Sequence, residues 1–281
     1  MGRQITIGVL ALQGAFSEHV QLLRNAIREL GQRGVAHDAE WSVIEVRTPA
    51  ELARCDALVL PGGESTTMSL VAERSGLLEP LRDFVKAHRR PTWGTCAGLI
   101  LLSESANRTK KGGQELIGGL DVRVSRNHFG RQTESFTAPL QLPFLRSGDP
   151  DALAPTPFHS VFIRAPVVER LLAHKDGEQA EEKAMEDTIV APAKTPKDEV
   201  ARRDFDARVE VLARLPGNAK AIGSGATASD EGEEGDIIAV RQGNVFGTSF
   251  HPELTGDARI HVWWLEQVLA ALDKRKDIPA R

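Results

Sequence analysis

Two hydrophobic periods alternate along the first 105 residues, and this alternation restricts the fold more than any other feature of the chain. Ile5–Leu12 is a continuous apolar run, typical of a strand that is buried on both faces. Phe16–Leu30 instead spaces its apolar residues like a helix. Further strands are predicted at Trp41–Val46, Ala57–Leu60 and Pro91–Thr95, and further helices at Leu77–Ala87 and Ala97–Ser103. The pattern predicts an α/β fold, with an open, mostly parallel sheet and helices on both faces.

The second half of the chain is less regular. Short strands are predicted at Leu120–Val124, Ser135–Ala138, Val161–Arg164, Val209–Leu215, Ile237–Arg241 and Val245–Phe250, and a closing amphipathic helix at Ala258–Leu272. The leucines of Val167–Ala173 would also suit a helix. We interpret residues 1–281 as a single domain.

Three polar stretches interrupt this pattern. They are Gly31–Glu40, the charged segment Glu169–Asp206 and the acidic, glycine-rich segment Gly223–Asp236. Because the last two contain few residues that could contribute to a core, we expect them to be surface insertions that are mobile at least in part.

Composition excludes several classes of protein. A net charge of −4 and a pI near 6.1 give no basic surface for nucleic acid. Two cysteines are too few for a disulfide framework or a zinc site. The N-terminal apolar run is too short for a membrane span or a signal sequence. We expect a cytoplasmic protein that binds neither nucleic acid nor membrane.

The sequence Gly94-Thr95-Cys96-Ala97-Gly98 lies between a predicted strand and a predicted helix. A nucleophile flanked by small residues at such a junction is typical of a strained turn that presents a reactive side chain. The helix N-terminus would favour the thiolate of Cys96, and the N–H of Ala97 could stabilise an oxyanion. A buried, inert cysteine is the alternative, and Cys55, which has no glycine neighbours, fits that description better.

His251 and Glu253 follow the last predicted strand of the sheet. Residues two apart in extended backbone face the same way, so the carboxylate could orient the imidazole and the imidazole could act as a base for a thiol. A surface histidine beside a glutamate is the alternative. His19, His88 and His261 fall within helical patterns, which makes His251 the preferred candidate.

The segment Leu60-Pro61-Gly62-Gly63-Glu64-Ser65 ends a predicted strand and opens a helix that Ser65 could cap. Paired glycines let backbone N–H groups approach an anion or a carbonyl oxygen. A phosphate-binding loop is disfavoured because the chain has neither the Gly-Lys-Ser sequence nor the G-x-G-x-x-G fingerprint.

Taken together, the sequences GGEST, GTCAG and SFHPE resemble those of class I (triad) glutamine amidotransferases. Additional stretches are GVLALQGAFSEH at 8–19, LPGGESTTM at 60–68, RNHFGRQ at 126–132, VFIRAP at 161–166 and FGTSFHPELTGD at 246–257. With them, the chain resembles the glutaminase subunit of pyridoxal 5′-phosphate synthase, the SNO/PdxT family. This resemblance implies a three-layer, flavodoxin-like sheet.

The resemblance also implies a role for each matching residue. Cys96 matches the nucleophile, His251 the base and Glu253 the orienting carboxylate. The residues that match glutamine-binding positions are Gly63, Glu64, Ser65, Arg126, Ile163 and Arg164, and those that match oxyanion or supporting positions are Gly62, Ala97 and Gln13.

The implied reaction is hydrolysis of L-glutamine to L-glutamate and ammonia through a cysteinyl thioester, without a metal or an organic cofactor on this chain. The implied partner is the (β/α)₈-barrel synthase subunit of the SNZ/PdxS type, which receives the ammonia.

Three alternatives remain at this point. The chain could be the glutaminase of another biosynthetic enzyme, such as that of histidine biosynthesis, or a non-catalytic regulatory homologue. It could also be a thiol hydrolase on the α/β-hydrolase plan, although in that plan the acid precedes the histidine in the chain.

Overall fold

Strands and helices alternate along the N-terminal half of the chain, as the hydrophobic periods predict. The structure, a computed structural model, describes residues 3–35, 39–107, 114–126, 135–145, 156–215 and 235–276. The strands are β1 (Arg3–Leu10), β2 (Ala39–Val46), β3 (Ala57–Leu60), β4 (Thr92–Thr95), β5 (Ser103–Asn107), β6 (Leu120–Ser125), β7 (Ser135–Leu140), β8 (Phe158–Ile163), β9 (Val167–Leu171), β10 (Thr188–Val190), β11 (Glu210–Leu215), β12 (Asp236–Gln242) and β13 (Val245–Thr248). The helices are α1 (Phe16–Gln32), α2 (Pro49–Ala53), α3 (Ser65–Arg74), α4 (Leu78–Arg82), α5 (Ala97–Leu102), α6 (Ala180–Lys183), α7 (Glu199–Phe205) and α8 (Arg259–Lys276).

One large sheet has the strand order β10-β5-β6-β9-β12-β13-β4-β3-β1-β2, with β11 paired to β12. Its half formed by β13, β4, β3, β1 and β2 is parallel throughout. The other half mixes the parallel pair β5–β6 with antiparallel pairs. Strands β7 and β8 form a separate two-stranded sheet. The predicted α/β class is therefore confirmed.

The core consists of two apolar layers, one on each face of the sheet. Along β1, Ile5, Ile7 and Val9 pack into the layer that contains α1 and α8, whereas Leu10 packs into the layer that contains α3 and α5. Since successive side chains of a strand point to opposite faces, a strand between two helical layers must be apolar throughout. This is why Ile5–Leu12 reads as an unbroken apolar run.

Two local predictions are wrong. Val167–Ala173 does not form a helix, because Val167 and Val168 are buried in strand β9, between β6 and β12. The cap of α3 is Glu64 and not Ser65: the longer carboxylate accepts hydrogen bonds from the N–H groups of Thr66 and Thr67 at 3.1 and 2.7 Å. The predicted helix Leu77–Ala87 is present, and it consists of α4 followed by one π-helical turn at Asp83–Ala87.

The charged segment 169–206 differs from the expected surface insertion. It supplies the end of β9 and all of β10, and Ala191, Ala201 and Phe205 are buried. Its charges are paired where they meet the sheet: the carboxylate of Glu182 bonds to Arg123 at 2.8 Å and contacts Arg170. Paired charges allow small apolar residues between them to be buried. Of segment 223–236, only the last two residues are within the described part of the chain.

Within the described ranges, none of the helices combines the length and the apolar character that crossing a membrane requires.

Candidate active site

The candidate site lies at the carboxyl ends of four neighbouring parallel strands, where open α/β sheets place their ligands. Strand β1 leads to Gln13, β3 to the glycine loop at Gly62 and Gly63, β4 to Cys96, and β13 to His251. Because these strands are neighbours in the order β13-β4-β3-β1, four segments that are distant in sequence meet at one edge of the sheet.

Cys96 occupies a strained turn between β4 and α5. Its φ of 48° lies in the left-handed region that non-glycine residues rarely adopt, and its N–H donates to the carbonyl oxygen of Thr248 at 2.8 Å. The flanking glycines allow the chain to double back: a β-carbon on Gly98 would lie 2.1 Å from the carbonyl oxygen of Leu60. The turn therefore holds the thiol at the N-terminus of α5, in an orientation that does not depend on its own side-chain contacts.

His251 and Glu253 form a buried pair beside this thiol. His251 Nδ1 and Glu253 Oε1 are 2.7 Å apart, and Cys96 lines the cleft together with the imidazole. Burial lowers the pKa of His251, but the interactions with Cys96 and Glu253 outweigh it and raise the pKa to about 10. Burial raises the pKa of Glu253, whereas His19 and His251 lower it more strongly, to well below its ordinary value. This arrangement favours an imidazolium at His251 paired with an ionised Glu253.

Two further histidines lie behind Glu253, and the sequence analysis assigned them no role. His19 Nε2 is 3.3 Å from the second carboxylate oxygen of Glu253, and His19 Nδ1 is 3.0 Å from His261 Nε2. Both rings are fully buried. The sequence feature that could have indicated a role for His19 is the stretch 8–19, which resembles the family and ends at His19.

The glycine loop is shaped by direct contact with its neighbours. A β-carbon on Gly62 would lie 2.2 Å from Cε1 of His251, and one on Gly63 would lie 2.3 Å from Oε1 of Gln13. The same amide oxygen of Gln13 accepts a hydrogen bond from the N–H of Glu64 at 2.7 Å. Glycine is therefore required at both positions for the loop to approach the imidazole and Gln13.

Arg126 is buried beside the start of α3. Its Nη2 donates to the hydroxyls of Ser65 and Thr66 at 2.9 and 3.0 Å and lies 3.8 Å from Glu64. The rest of the predicted motif, residues 127–132, is outside the described residues. On the opposite side, β8 brings Ile163 to the thiol: its carbonyl oxygen is 4.0 Å from Cys96 Sγ. The next residue, Arg164, has a left-handed φ of 45°.

A cleft of about 250 Å³ opens between these groups. Its lining includes the nucleophile and base candidates Cys96 and His251 and all the predicted glutamine-binding residues. The full lining is Gln13, Gly63, Glu64, Ser65, Cys96, Ile100, Arg126, Ile163, Arg164 and His251. Glu253 lies behind His251, Gly62 packs on the imidazole, and Ala97 is the first residue of α5, whose N–H the helix itself does not satisfy.

Neither Cys55 nor a second polar cluster belongs to this site. Cys55 is buried under β1 and β3, where burial raises its pKa to about 12. One group of side chains in the described ranges could hold a metal ion, namely His174, Asp176 and Asp206. Arg202 already pairs with both of its carboxylates, at 2.7 and 2.9 Å.

A thiol, an imidazole and a carboxylate at the ends of parallel strands, facing a glycine loop, form the arrangement of triad glutamine amidotransferases. The sequence model of the SNO glutamine amidotransferase family matches residues 9–200 and 197–270, and the chain belongs to this family.

Relatives and a solved structure agree with this membership. The pyridoxal 5′-phosphate synthase subunit PdxT of Methanosarcina mazei is 38% identical and is aligned over 94% of this chain and 98% of its own length. The subunit of the same name from Streptomyces griseus is 39% identical over 94% and 96%. A crystal structure of a glutamine amidotransferase, 33% identical, superimposes with a TM-score of 0.59 over 93% of this chain and 98% of its own.

Proposed function

We propose that this protein is the glutaminase subunit of a pyridoxal 5′-phosphate synthase. It hydrolyses L-glutamine to L-glutamate and ammonia and passes the ammonia to the synthase subunit. The observation that carries the proposal is the strained Cys96 turn, which presents a thiol to the His251–Glu253 pair at the edge of the cleft. The relatives named above, which are called subunits of that synthase, support the choice of product.

The first half of the reaction forms a thioester. The Cys96 thiolate attacks the side-chain amide carbon of glutamine, and the electron pair of the carbonyl moves to its oxygen. The N–H groups of Ala97 and of the glycine loop stabilise this oxyanion. The His251 imidazolium then donates its proton to the amide nitrogen, the C–N bond breaks, and ammonia leaves.

The second half releases glutamate. His251, now neutral, accepts a proton from water, and the resulting hydroxide attacks the thioester carbon. The C–S bond breaks, glutamate leaves, and the thiolate–imidazolium pair is restored. Glu253 remains ionised throughout, because its low pKa keeps the carboxylate charged beside both forms of His251.

The cleft also supplies groups that select the substrate. Arg126 offers a guanidinium that can bind the α-carboxylate of glutamine. Ser65, Glu64 and Gly63 supply polar groups on the same side, and Ile163 and Arg164 form the other wall. Gln13 sets the position of the loop through its bond to the N–H of Glu64.

The partner we propose is a (β/α)₈-barrel synthase of the SNZ/PdxS type, because ammonia is useful only if it reaches a second site before water protonates it. We further propose that residues 1–281 form a single amidotransferase domain. A cytoplasmic location follows from the need for a reduced Cys96 thiol.

The decisive experiment measures glutamine hydrolysis with and without the barrel subunit. We expect Cys96→Ala to abolish hydrolysis while the circular dichroism spectrum and the unfolding transition are retained. Cys55→Ala is the matched control, since the Cys55 thiol is buried away from the cleft, and it should cost less than about threefold in activity. Full hydrolysis by the Cys96→Ala variant would overturn the assignment.

A second measurement tests the product. The chain, the barrel subunit, glutamine, a pentose phosphate and a triose phosphate should together yield the pyridoxal phosphate chromophore. With Cys96→Ala, ammonium chloride should restore the chromophore and glutamine should not. Hydrolysis of glutamine without pyridoxal phosphate formation in the wild-type mixture would point to a different synthase.

A further inference from the structure

The two oxygens of the buried Glu253 carboxylate face different side chains. Oε1 is bonded to Nδ1 of His251 at 2.7 Å, which is the contact that orients the proposed base. Oε2 has His19 Nε2 at 3.3 Å, and both side chains are fully buried. A buried carboxylate oxygen without a donor would be costly, and among the described residues His19 is the group placed to supply one.

His261 contacts His19 on the side of the ring opposite Glu253. His261 is completely buried, and this burial lowers its pKa far below the ordinary value, so its ring is neutral and carries one N–H. His261 Nε2 lies 3.0 Å from His19 Nδ1, so the two rings share one hydrogen bond. His19 Nε2 is the nitrogen that faces Glu253. The same nitrogen lies 3.2 Å from the hydroxyl of Thr95.

Both rings are fixed by packing. The Trp93 ring makes edge contacts with His19 and His261, with centroid separations of 5.4 and 4.9 Å. His19 is on α1 and His261 is on α8, so this layer joins the two helices that cover one face of the sheet. Among the described residues, the titratable groups that face Glu253 are His251 and His19, and those that face His19 are Glu253 and His261.

We propose that His19, held in place by His261 and Trp93, is a positioning residue for the reaction: its Nε2, 3.3 Å from Glu253 Oε2, acts as a donor that fixes the carboxylate that orients His251. The inference rests on the proposed function, because it assigns His19 to the same hydrolysis. His19 is not among the residues that line the cleft. It acts through Glu253 and His251, so it should affect kcat and not KM.

The first test compares His19→Leu with His19→Gln. Leucine keeps bulk and removes the donor, whereas the glutamine amide can place an N–H near the position of Nε2. We expect His19→Leu to lower kcat for glutamine hydrolysis by about 10- to 100-fold with KM within about twofold of the wild type. His19→Gln should recover most of the loss. His88→Leu, at an exposed position, is the control for loss of a histidine.

The second test reads the thiolate directly and needs no turnover. The rate of alkylation of Cys96 by iodoacetamide, followed by mass spectrometry of the Cys96 peptide, gives the pH midpoint at which the thiolate forms. Without His19 the Glu253 side chain is free to turn away from His251, so the imidazolium loses its partner and the midpoint should rise by roughly one pH unit or more in His19→Leu. In His19→Gln it should stay near that of the wild type.

Each result decides the matter. A folded His19→Leu variant with an unchanged alkylation midpoint and unchanged kcat overturns the proposal. If substitutions at position 19 prevent folding, nitrogen NMR of the wild-type histidines decides instead: a protonated Nε2 on His19 supports the proposal, and an unprotonated one overturns it. A wild-type chain that lacks glutaminase activity would overturn the proposed function alone, since the alkylation and NMR readouts do not depend on turnover.

Discussion

At the scale of single residues, the charge of Glu253 is held by groups from opposite ends of the chain. His251 comes from the loop after β13, and His19 comes from α1. Both contacts favour the ionised carboxylate, and together they outweigh the burial that disfavours it. The carboxylate therefore contributes to stability as well as to orientation of the base.

This contribution should appear in the pH dependence of stability. The folded-state pKa of Glu253 is lower than its unfolded value near 4.5, so its stabilisation is complete above that pH and is lost as the pH falls. The free energy of unfolding of the wild type, relative to Glu253→Gln, should decrease by about 1 kcal/mol between pH 6.5 and pH 3.5. Urea unfolding of both proteins measures this. A difference that stays constant over that range would contradict the prediction.

Residues close in sequence were predictable, and residues brought together by the fold were not. The two-residue spacing of His251 and Glu253 after a buried strand is visible in the sequence, and the structure places them in contact. His19 and His261 lie on the buried faces of α1 and α8, where the helical pattern alone explains their burial and indicates no further role. Only the packing of α1 against α8 shows that His19 also meets Glu253 and that His261 meets His19.

At the scale of elements, the turn between β4 and α5 determines how closely the helix approaches the sheet. Gly94 packs against Gly98, and Gly98 packs against the backbone of Leu60 in β3. No side chain fits in either gap. The first turn of α5 is therefore held against two strands by backbone contacts.

Alanine scanning of two helical glycines tests this. Gly98→Ala should destabilise the protein by about 3 kcal/mol, because its β-carbon would overlap a backbone oxygen that cannot move without shifting β3. Gly31→Ala, near the end of α1, meets no atom within 4 Å and should stabilise the protein by about 0.5–1 kcal/mol. Denaturant unfolding gives both values. Equal stability of the two variants would show that the close approach is not required.

Elements whose apolar residues follow a clear helical or strand period were predicted, whereas elements that depend on pairing with distant strands were missed. Strands β1, β2, β3 and β4 and helices α1, α3, α4 and α5 follow from their own apolar spacing, whereas the five-residue helix α2 was not predicted. Strand β9 contains the exposed Leu171 and the charged pair Glu169 and Arg170, so its pattern does not distinguish strand from helix. Its conformation is determined by hydrogen bonding to β6 and β12, which no local signal contains.

At the scale of the whole molecule, one buried arginine joins distant parts of the fold. The guanidinium of Arg89 donates to the carbonyl oxygens of Gly119, Asp204 and Gln242 at 2.8–3.0 Å. Gly119 directly precedes β6, Asp204 lies near the end of α7, and Gln242 is the last residue of β12. Arg89 thus connects the parallel half of the sheet with the mixed half and with segment 169–206.

Removal of this side chain should destabilise the whole fold. We expect Arg89→Met to cost about 3–5 kcal/mol, since three buried carbonyl groups lose their donor. Arg3→Met is the control: Arg3 pairs with the exposed Asp273, and this variant should stay within about 0.5 kcal/mol of the wild type. Thermal and urea unfolding should show one transition shifted downward. A stable Arg89→Met protein would show that the two halves hold together without it.

Segment 169–206 shows where sequence reasoning fails at this scale. Its charges predict exposure when each is considered alone, but Glu182 meets Arg123 and Arg170 in the folded protein. Pairing over such separations cannot be read from composition. The periodic half of the sheet was therefore predictable, whereas the edge strand β10 was not.

The left-handed backbone at Cys96 leads to a last prediction. Glycine adopts that conformation without the steric cost that any β-carbon incurs. Cys96→Gly should therefore be more stable than Cys96→Ala by about 1 kcal/mol in urea unfolding, while both are inactive.

The steric cost of a side chain at position 96 bears on natural selection more than on the chemistry of the reaction. At position 96 the residue that would make the fold most stable, glycine, differs from the cysteine that we propose as the nucleophile, so the protein keeps a destabilising residue in its candidate active site. A Cys96→Gly chain would be a more stable but inactive subunit. It would be suited to binding the proposed synthase subunit without supplying it with ammonia.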